Sequence, residues 1–258
     1  MKGLALTALL MMLGGCALLP QPAARSVFNT VGEEGAVRTR ARVHTELAGG
    51  YFELGSLAVA LDEIKSALRA DSEYGPAYNV AGLIHAALKQ DRIAQENFER
   101  ALRIDPLDPD ANHNFGQFLC DRKREAEAMK YFHAALNNPL YQHPDRSYVN
   151  AGMCSRRRGD VAAAERYFMQ ALKLRPEHPQ ALYQLADMAQ ARGQSAQARD
   201  YVYRLTQVTA PTAEVLWLAL RVSRILGERD AEASYAAQLR RQFPSSKEAG
   251  ALLAGHYE

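Results

Sequence analysis

Apolar and polar positions from about Val43 onward follow the spacing of amphipathic helices, and the whole pattern recurs about every 34 residues. Each unit reads as two helices. The first carries a small residue near its middle, and the second carries an alanine followed four residues later by an aromatic. The signature is clearest in three successive units: Gly82, Ala94 and Phe98; Gly116, Ala128 and Phe132; Gly152, Ala164 and Phe168. Residues four apart share a helix face, so the pattern predicts that each aromatic fills the core beside a small residue.

Glycine and proline residues between the predicted helices support the same division of the chain into two-helix units. Gly55, Gly159 and Gly193 suit the tight turn inside a unit, and Pro106 and Pro176 stop the second helix and open the next unit. This helix-turn-helix resembles the tetratricopeptide repeat. The resemblance implies an all-α, right-handed superhelical stack of about six repeats within residues 41–250. The repeats are expected at residues 41–74, 75–108, 109–144, 145–178, 179–212 and 213–246.

The last repeat is degenerate, and its second helix contains Arg240 and Arg241. Because a terminal repeat must present a polar outer face to water, we interpret this repeat as the cap of the stack. Residues 251–258 are expected to form a C-terminal tail.

The N-terminus has the pattern of an export signal. Lys2 is followed by an apolar stretch at residues 4–13, which is shorter than the roughly 20 residues that a membrane-spanning helix needs. The stretch runs into Gly14, Gly15 and Cys16, an arrangement that resembles a bacterial lipobox. We therefore expect residues 1–15 to be a lipoprotein signal peptide and Cys16 to carry the lipid. The alternative is an ordinary secretory signal that happens to contain a cysteine.

The residue after Cys16 is Ala17, not Asp, which in many bacterial lipoproteins favours the outer membrane. We expect a lipid-anchored protein on the periplasmic face of that membrane. Residues 16–40 include Pro20 and Pro22 and show little periodicity, so they are interpreted as a tether.

Composition and charge narrow the function classes. The chain is 48% hydrophobic and 23% charged, and its 31 basic residues nearly balance 29 acidic ones, so nothing indicates binding to nucleic acid. None of the seven histidines forms a close ligand pair, and phosphate-loop, GxSxG and dinucleotide-binding motifs are absent from the sequence. We predict no enzymatic activity, no cofactor or metal, and no small-molecule substrate.

Two further cysteines, Cys120 and Cys154, lie in the first helices of adjacent repeats. These helices pack side by side, and an exported chain meets an oxidising compartment, so the register predicts a disulfide between them. Two buried free thiols are the alternative. The interval from Gly116 to Gly152 is 36 residues, and the insertion falls in the loop at residues 138–144.

A longer ordered set of residues narrows the resemblance. It consists of NFGQFLC at residues 114–120, NPLY at 138–141 and NAGMC at 150–154. Together with the lipobox and the repeats, these segments resemble the type IV pilus biogenesis and stability lipoproteins, the PilF/PilW-type secretin pilotins. The resemblance implies a protein partner, the pilus secretin, whose outer-membrane localisation and multimerisation the protein would promote. An adaptor for another cell-envelope assembly complex, built from the same repeats, is the competing hypothesis.

The first helices of such a stack line its concave side, and this face is the expected partner-binding groove. In the repeat register the groove contains Phe52, Asn79, Leu83, His113, Gln117, Val149 and Met153. We expect a secretin segment at its N-terminal part, around Phe52 and Leu83. The alternative is that these side chains pack against neighbouring helices.

The densest run of charge, Arg156, Arg157 and Arg158, has two interpretations. It either recognises an acidic partner or lipid headgroups, or it is a solvated helix end that complements the helix dipole.

Overall fold

The structure is a computed structural model that describes residues 27–257, with side chains from residue 35 onward. The described residues form thirteen α-helices and no strand, which confirms the all-α prediction. The helices are α1 (Val27–Glu53), α2 (Leu57–Ala70), α3 (Gly75–Ala87), α4 (Asp91–Ile104), α5 (Pro109–Asp121), α6 (Glu125–Leu136), α7 (Pro144–Arg157), α8 (Val161–Leu174), α9 (Pro179–Ala191), α10 (Ser195–Val208), α11 (Ala213–Leu226), α12 (Arg229–Gln242) and α13 (Lys247–Ala254).

The first twelve helices form six antiparallel pairs, one for each predicted repeat. Each first helix packs on the second helix of its own repeat, and that second helix packs on the first helix of the next repeat. First helices of several adjacent repeats also contact one another, as α1 and α3 do, whereas second helices in the described part of the chain make no comparable contact. The stack therefore curves towards its first helices. We call the surface that these helices present the first-helix face.

The predicted small-residue and aromatic pairs form the core. Phe98, Phe132 and Phe168 are fully buried. A Cβ atom added at Gly82 or Gly152 would lie 2.7 Å or 2.6 Å from the facing phenylalanine ring, closer than any real contact. The glycines are therefore required by the close approach of the two helices within a repeat.

The N-terminal boundary of the folded part differs from the prediction. A tether was expected over residues 16–40, but α1 already begins at Val27. The helix runs through Gly32 and Gly35. Glycine weakens a helix by only about 1 kcal/mol and does not end it as proline does, and the prolines lie earlier in the chain, at positions 20 and 22.

The C-terminal boundary differs as well. Instead of a tail over residues 251–258, α13 continues to Ala254 and buries Ala249 and Leu252 against the last repeat. Beyond it, the ring of Tyr257 stacks on Trp217 with 5.8 Å between centroids. The cap of the stack is therefore α13. The arginines of α12 are exposed on the helix that α13 partly covers.

Candidate functional site

Three of the residues predicted to line the groove are buried. Asn79, His113 and Val149 are 6%, 2% and 4% exposed. The reason is the curvature of the stack, because adjacent first helices approach closely enough to cover the positions between them. These three side chains are not available to a partner.

Three others are half-buried, and each packs against a hydrophobic core. Phe52 contacts the core of the first repeat, Leu83 the core of the second and third, and Met153 that of the fourth and fifth. For these residues the structure matches the alternative, packing between helices. Of the seven predicted positions, Gln117 is exposed.

The middle of the first-helix face is polar because amide side chains bridge neighbouring helices. Asn114 Nδ2 donates to Asn79 Oδ1 over 3.1 Å, and Asn150 Nδ2 donates to Gln117 Oε1 over 3.1 Å. The amides of Asn114, Gln117 and Asn150, which are not buried, have further donor and acceptor capacity beyond these bonds. The face can therefore hydrogen-bond a peptide backbone, but it offers little bare apolar surface here.

His113 belongs to a buried network that seats the inserted loop. Its Nδ1 lies 2.7 Å from Ser147 Oγ, and this hydroxyl donates to the hydroxyl oxygen of Tyr141 over 3.1 Å. Burial, with a smaller contribution from the positive charge of Arg146, lowers the pKa of His113 to about 4. The imidazole is neutral at neutral pH and acts as a structural hydrogen-bonding group.

Cys120 and Cys154 lie on α5 and α7 with their Cα atoms 5.9 Å apart, and the structure joins their sulfurs in a disulfide. The bond links the first helices of the third and fourth repeats, on either side of the inserted loop. It therefore fastens the one junction at which the repeat interval is longer.

The arginine run is paired within the protein. Arg156 reaches Asp187 at 2.8 Å and also donates to Gln184. Arg157 contacts Asp121 at 2.9 Å, while Arg158 lies 3.6 Å from Asp160. These contacts favour the structural interpretation, because all three arginines already have a carboxylate partner, and those of Arg156 and Arg157 lie in neighbouring repeats.

The C-terminal end of the first-helix face was not predicted as a site. Continuing the groove positions of the middle repeats into the last two repeats gives Tyr183, Asp187, Trp217 and Arg221. Tyr183, Trp217 and Arg221 line an open cavity of about 410 Å³ between α9, α11 and α13. The repeat register was sufficient to find them, but the prediction stopped at the fourth repeat.

The N-terminal end presents bare apolar side chains. On α1, Val43 and Leu47 are 42% and 45% exposed, and in the adjoining turn and α2, Leu54 and Val59 are 78% and 43% exposed. We call these four residues the N-terminal apolar surface. The opposite side of α1 packs on the first repeat's core through Ala48, so α1 is apolar on two faces.

Within the described residues, no helix is long and apolar enough to cross a membrane. The same part of the chain contains no cluster of His, Cys, Asp or Glu suited to a metal ion. The predicted lipidation site, Cys16, lies outside the described residues.

Comparison with known proteins gives a consistent result. Models of the tetratricopeptide repeat match residues 75–106 and 155–214. The chain is 28% identical over 205 residues to the type IV pilus assembly protein PilF of Pseudomonas aeruginosa, covering 80% of this chain and 81% of that protein. It is 34% identical to PilW, a widely conserved type IV pilus biogenesis factor, whose crystal structure matches with a TM-score of 0.74 over 83% of this chain and 98% of that one. The structure of P. aeruginosa PilF matches with a TM-score of 0.80 at 26% identity, over 85% of this chain and 99% of that one.

Proposed function

Since this chain belongs to the tetratricopeptide-repeat family of type IV pilus biogenesis proteins, we propose that it is the pilotin of a type IV pilus. In this role it binds the secretin and promotes secretin localisation and multimerisation in the outer membrane. As a member of this family it acts in pilus biogenesis as a protein-interaction scaffold and not as an enzyme.

The observation that carries the proposal is the extent of the similarity. The match to PilW spans 98% of the solved chain at 34% identity, so it covers the whole repeat stack and not an isolated repeat motif. Repeat consensus alone would match many unrelated proteins of this fold. Similarity along the full stack supports a shared partner, because partner contacts in a solenoid are spread over several repeats.

The proposal includes an anchor. Cys16 carries the lipid, and the protein lies on the periplasmic face of the outer membrane. An anchor there keeps the binding surfaces at the membrane in which the secretin must assemble. Replacing Cys16 with Ala removes the thiol that takes the lipid, so both the protein and the secretin multimers should be missing from the outer-membrane fraction. If the variant still reaches the outer membrane, Cys16 is not the anchor. If it does not and the multimers form there normally, the anchor is not required.

We place secretin docking on the N-terminal apolar surface, and not around Phe52 and Leu83, which are half-buried in the core. One apolar face of α1 packs on the core of the first repeat, and the second apolar face is exposed, so it can contact a partner. The charged neighbours Arg42 and Glu46 pair with each other at 2.7 Å, so the surface between them and Leu54 is suited to an apolar partner segment.

The test is deletion of the gene, followed by detection of detergent-resistant secretin multimers in separated membrane fractions. Loss of the multimers, or accumulation of secretin monomers in the inner membrane, is the expected result. Restoring the wild-type gene must restore the multimers, which controls for effects on neighbouring genes. Normal multimers in the outer membrane without the gene would refute the pilotin role and leave an adaptor for another envelope complex as the function to pursue.

A further inference from the structure

The cavity at the C-terminal end of the first-helix face has the composition of a binding site. Its aromatic wall consists of Tyr183 from α9 and Trp217 from α11, and α13 closes the other side with Lys247 and Glu248. Its volume of about 410 Å³ is within the usual range of ligand pockets. Arg221 also lines it, one turn along α11 from Trp217.

Arg221 has a donor that the fold leaves unused. One terminal nitrogen donates to Gln190 Oε1 over 2.8 Å, but the buried Nε has no acceptor among the residues that the structure describes. No carboxylate of these residues lies within 4.0 Å of the guanidinium, although many other arginines of the stack are paired. The missing acceptor leaves the guanidinium incompletely hydrogen-bonded, and because Arg221 lines the cavity, a carboxylate bound there can pair with its charge.

The other cation at the rim, Lys247, already has carboxylates beside it. Lys247 Nζ lies 3.6 Å from Glu248 Oε1. Hydrogen bonds from its own backbone N–H and from Thr212, together with the nearby Lys247, hold the pKa of Glu214 below its usual range. Arg221 is therefore the cation of this cavity that has no carboxylate partner among the described residues, and it is the group that an acidic ligand would pair with.

A second cavity of about 450 Å³ adjoins the first, and the two share Tyr183 and Glu214. Its lining is mainly apolar or neutral, with Pro179, Leu205 and Val215 among its walls. We call the two cavities together the trough. The second cavity is its apolar half, and the first is the half that contains Arg221, whose guanidinium has no carboxylate partner among the described residues.

We infer that this trough, formed by α9, α10, α11, α13 and the turn before α11, is a second peptide-binding site. It takes an extended segment of a partner protein in which aliphatic side chains are interleaved with acidic ones. The aliphatic side chain enters the apolar cavity, and the carboxylate accepts from Arg221. The site lies at the opposite end of the stack from the N-terminal apolar surface and is independent of secretin docking there.

The sequence provides a built-in probe, because Trp217 is the chain's single tryptophan and lines the cavity. Blocked octapeptides of alternating leucine and glutamate, leucine and glutamine, or leucine and lysine would be titrated into the full-length protein while Trp217 emission is followed. The leucine–glutamate peptide should bind at least about tenfold more tightly than the leucine–glutamine peptide, a difference of about 1.4 kcal/mol. Arg221→Gln should abolish that preference.

Arg240→Gln is the matched control, because it removes one positive charge from the exposed surface of α12. It should keep the preference for the acidic peptide. Four outcomes would overturn the inference: no preference in the wild type, a preference that survives Arg221→Gln, an equal loss in both variants, or tightest binding of the leucine–lysine peptide. Binding seen by calorimetry without any change in Trp217 emission would also overturn it, since the peptide would then lie elsewhere.

Discussion

The two ends of the repeat stack solve the same physical problem in different ways. A terminal repeat lacks one neighbour, so one of its faces has no repeat to pack on. At the C-terminal end, α13 covers that face and buries Leu252 to 9% exposure. At the N-terminal end, α1 leaves Leu47 45% exposed and Leu54 78% exposed. In the described part of the chain, the C-terminal end is therefore covered by a helix of its own, whereas the N-terminal end leaves apolar side chains exposed, as the proposed secretin docking requires.

The largest effect is expected from opening the closed end. Leu252→Asp places a carboxylate in the cluster formed with Leu216 and Leu220, and it should lower the free energy of unfolding by about 3 kcal/mol or more. The measurement is urea unfolding followed by circular dichroism. Leu253→Asp, at a neighbouring position that is 76% exposed, is the control and should change stability by less than about 0.5 kcal/mol. Equal losses in the two variants would show that α13 does not cap the stack.

The disulfide is expected to stabilise the middle of the stack. Replacing both Cys120 and Cys154 with Ser should lower the unfolding free energy by about 2–4 kcal/mol, because a cross-link over a separation of 34 residues restricts the unfolded chain. Hydrogen exchange should rise most in α5 and α7 and least in α13. Reducing the wild-type protein should reproduce the loss. If reduction changes nothing, the two cysteines are not bonded in the isolated protein.

A smaller, pH-dependent effect is expected at the inserted loop. Because the folded-state pKa of His113 is lowered to about 4 from 6.5, the unfolded chain binds a proton in this range that the folded protein excludes. Stability conferred by the neutral imidazole is therefore complete above pH 6.5 and is lost as the pH falls towards 4, by at most about 3 kcal/mol. His113→Gln should flatten this part of the profile of unfolding free energy against pH. An unchanged slope would mean that other groups, such as His178, whose pKa burial also lowers, account for it.

The core was predictable from sequence, whereas the surfaces were not. Gly82 and Phe98 form a local packing pair that recurs in each well-formed unit. Because the same pair appears several times in the sequence, the core positions could be predicted from it. Whether Asn79 or Leu83 is exposed depends on the separation of helices that lie a whole repeat apart, and no local pattern encodes that distance. The positions of Tyr183, Trp217 and Arg221 follow from the repeat register, but the trough itself does not, because it also includes α13, which lies outside the repeat pattern.

The central claim, that the open N-terminal end is the secretin-docking surface, is tested most directly by exchanging one leucine at each end. Leu47→Asp and Leu253→Asp both place a charge on an exposed position of the outer helices, so neither should unfold the stack. Each variant would be expressed in the deletion strain at wild-type level, and detergent-resistant secretin multimers in the outer membrane would be measured. The account predicts that Leu47→Asp loses the multimers and that Leu253→Asp retains them. Normal multimers with Leu47→Asp would contradict it.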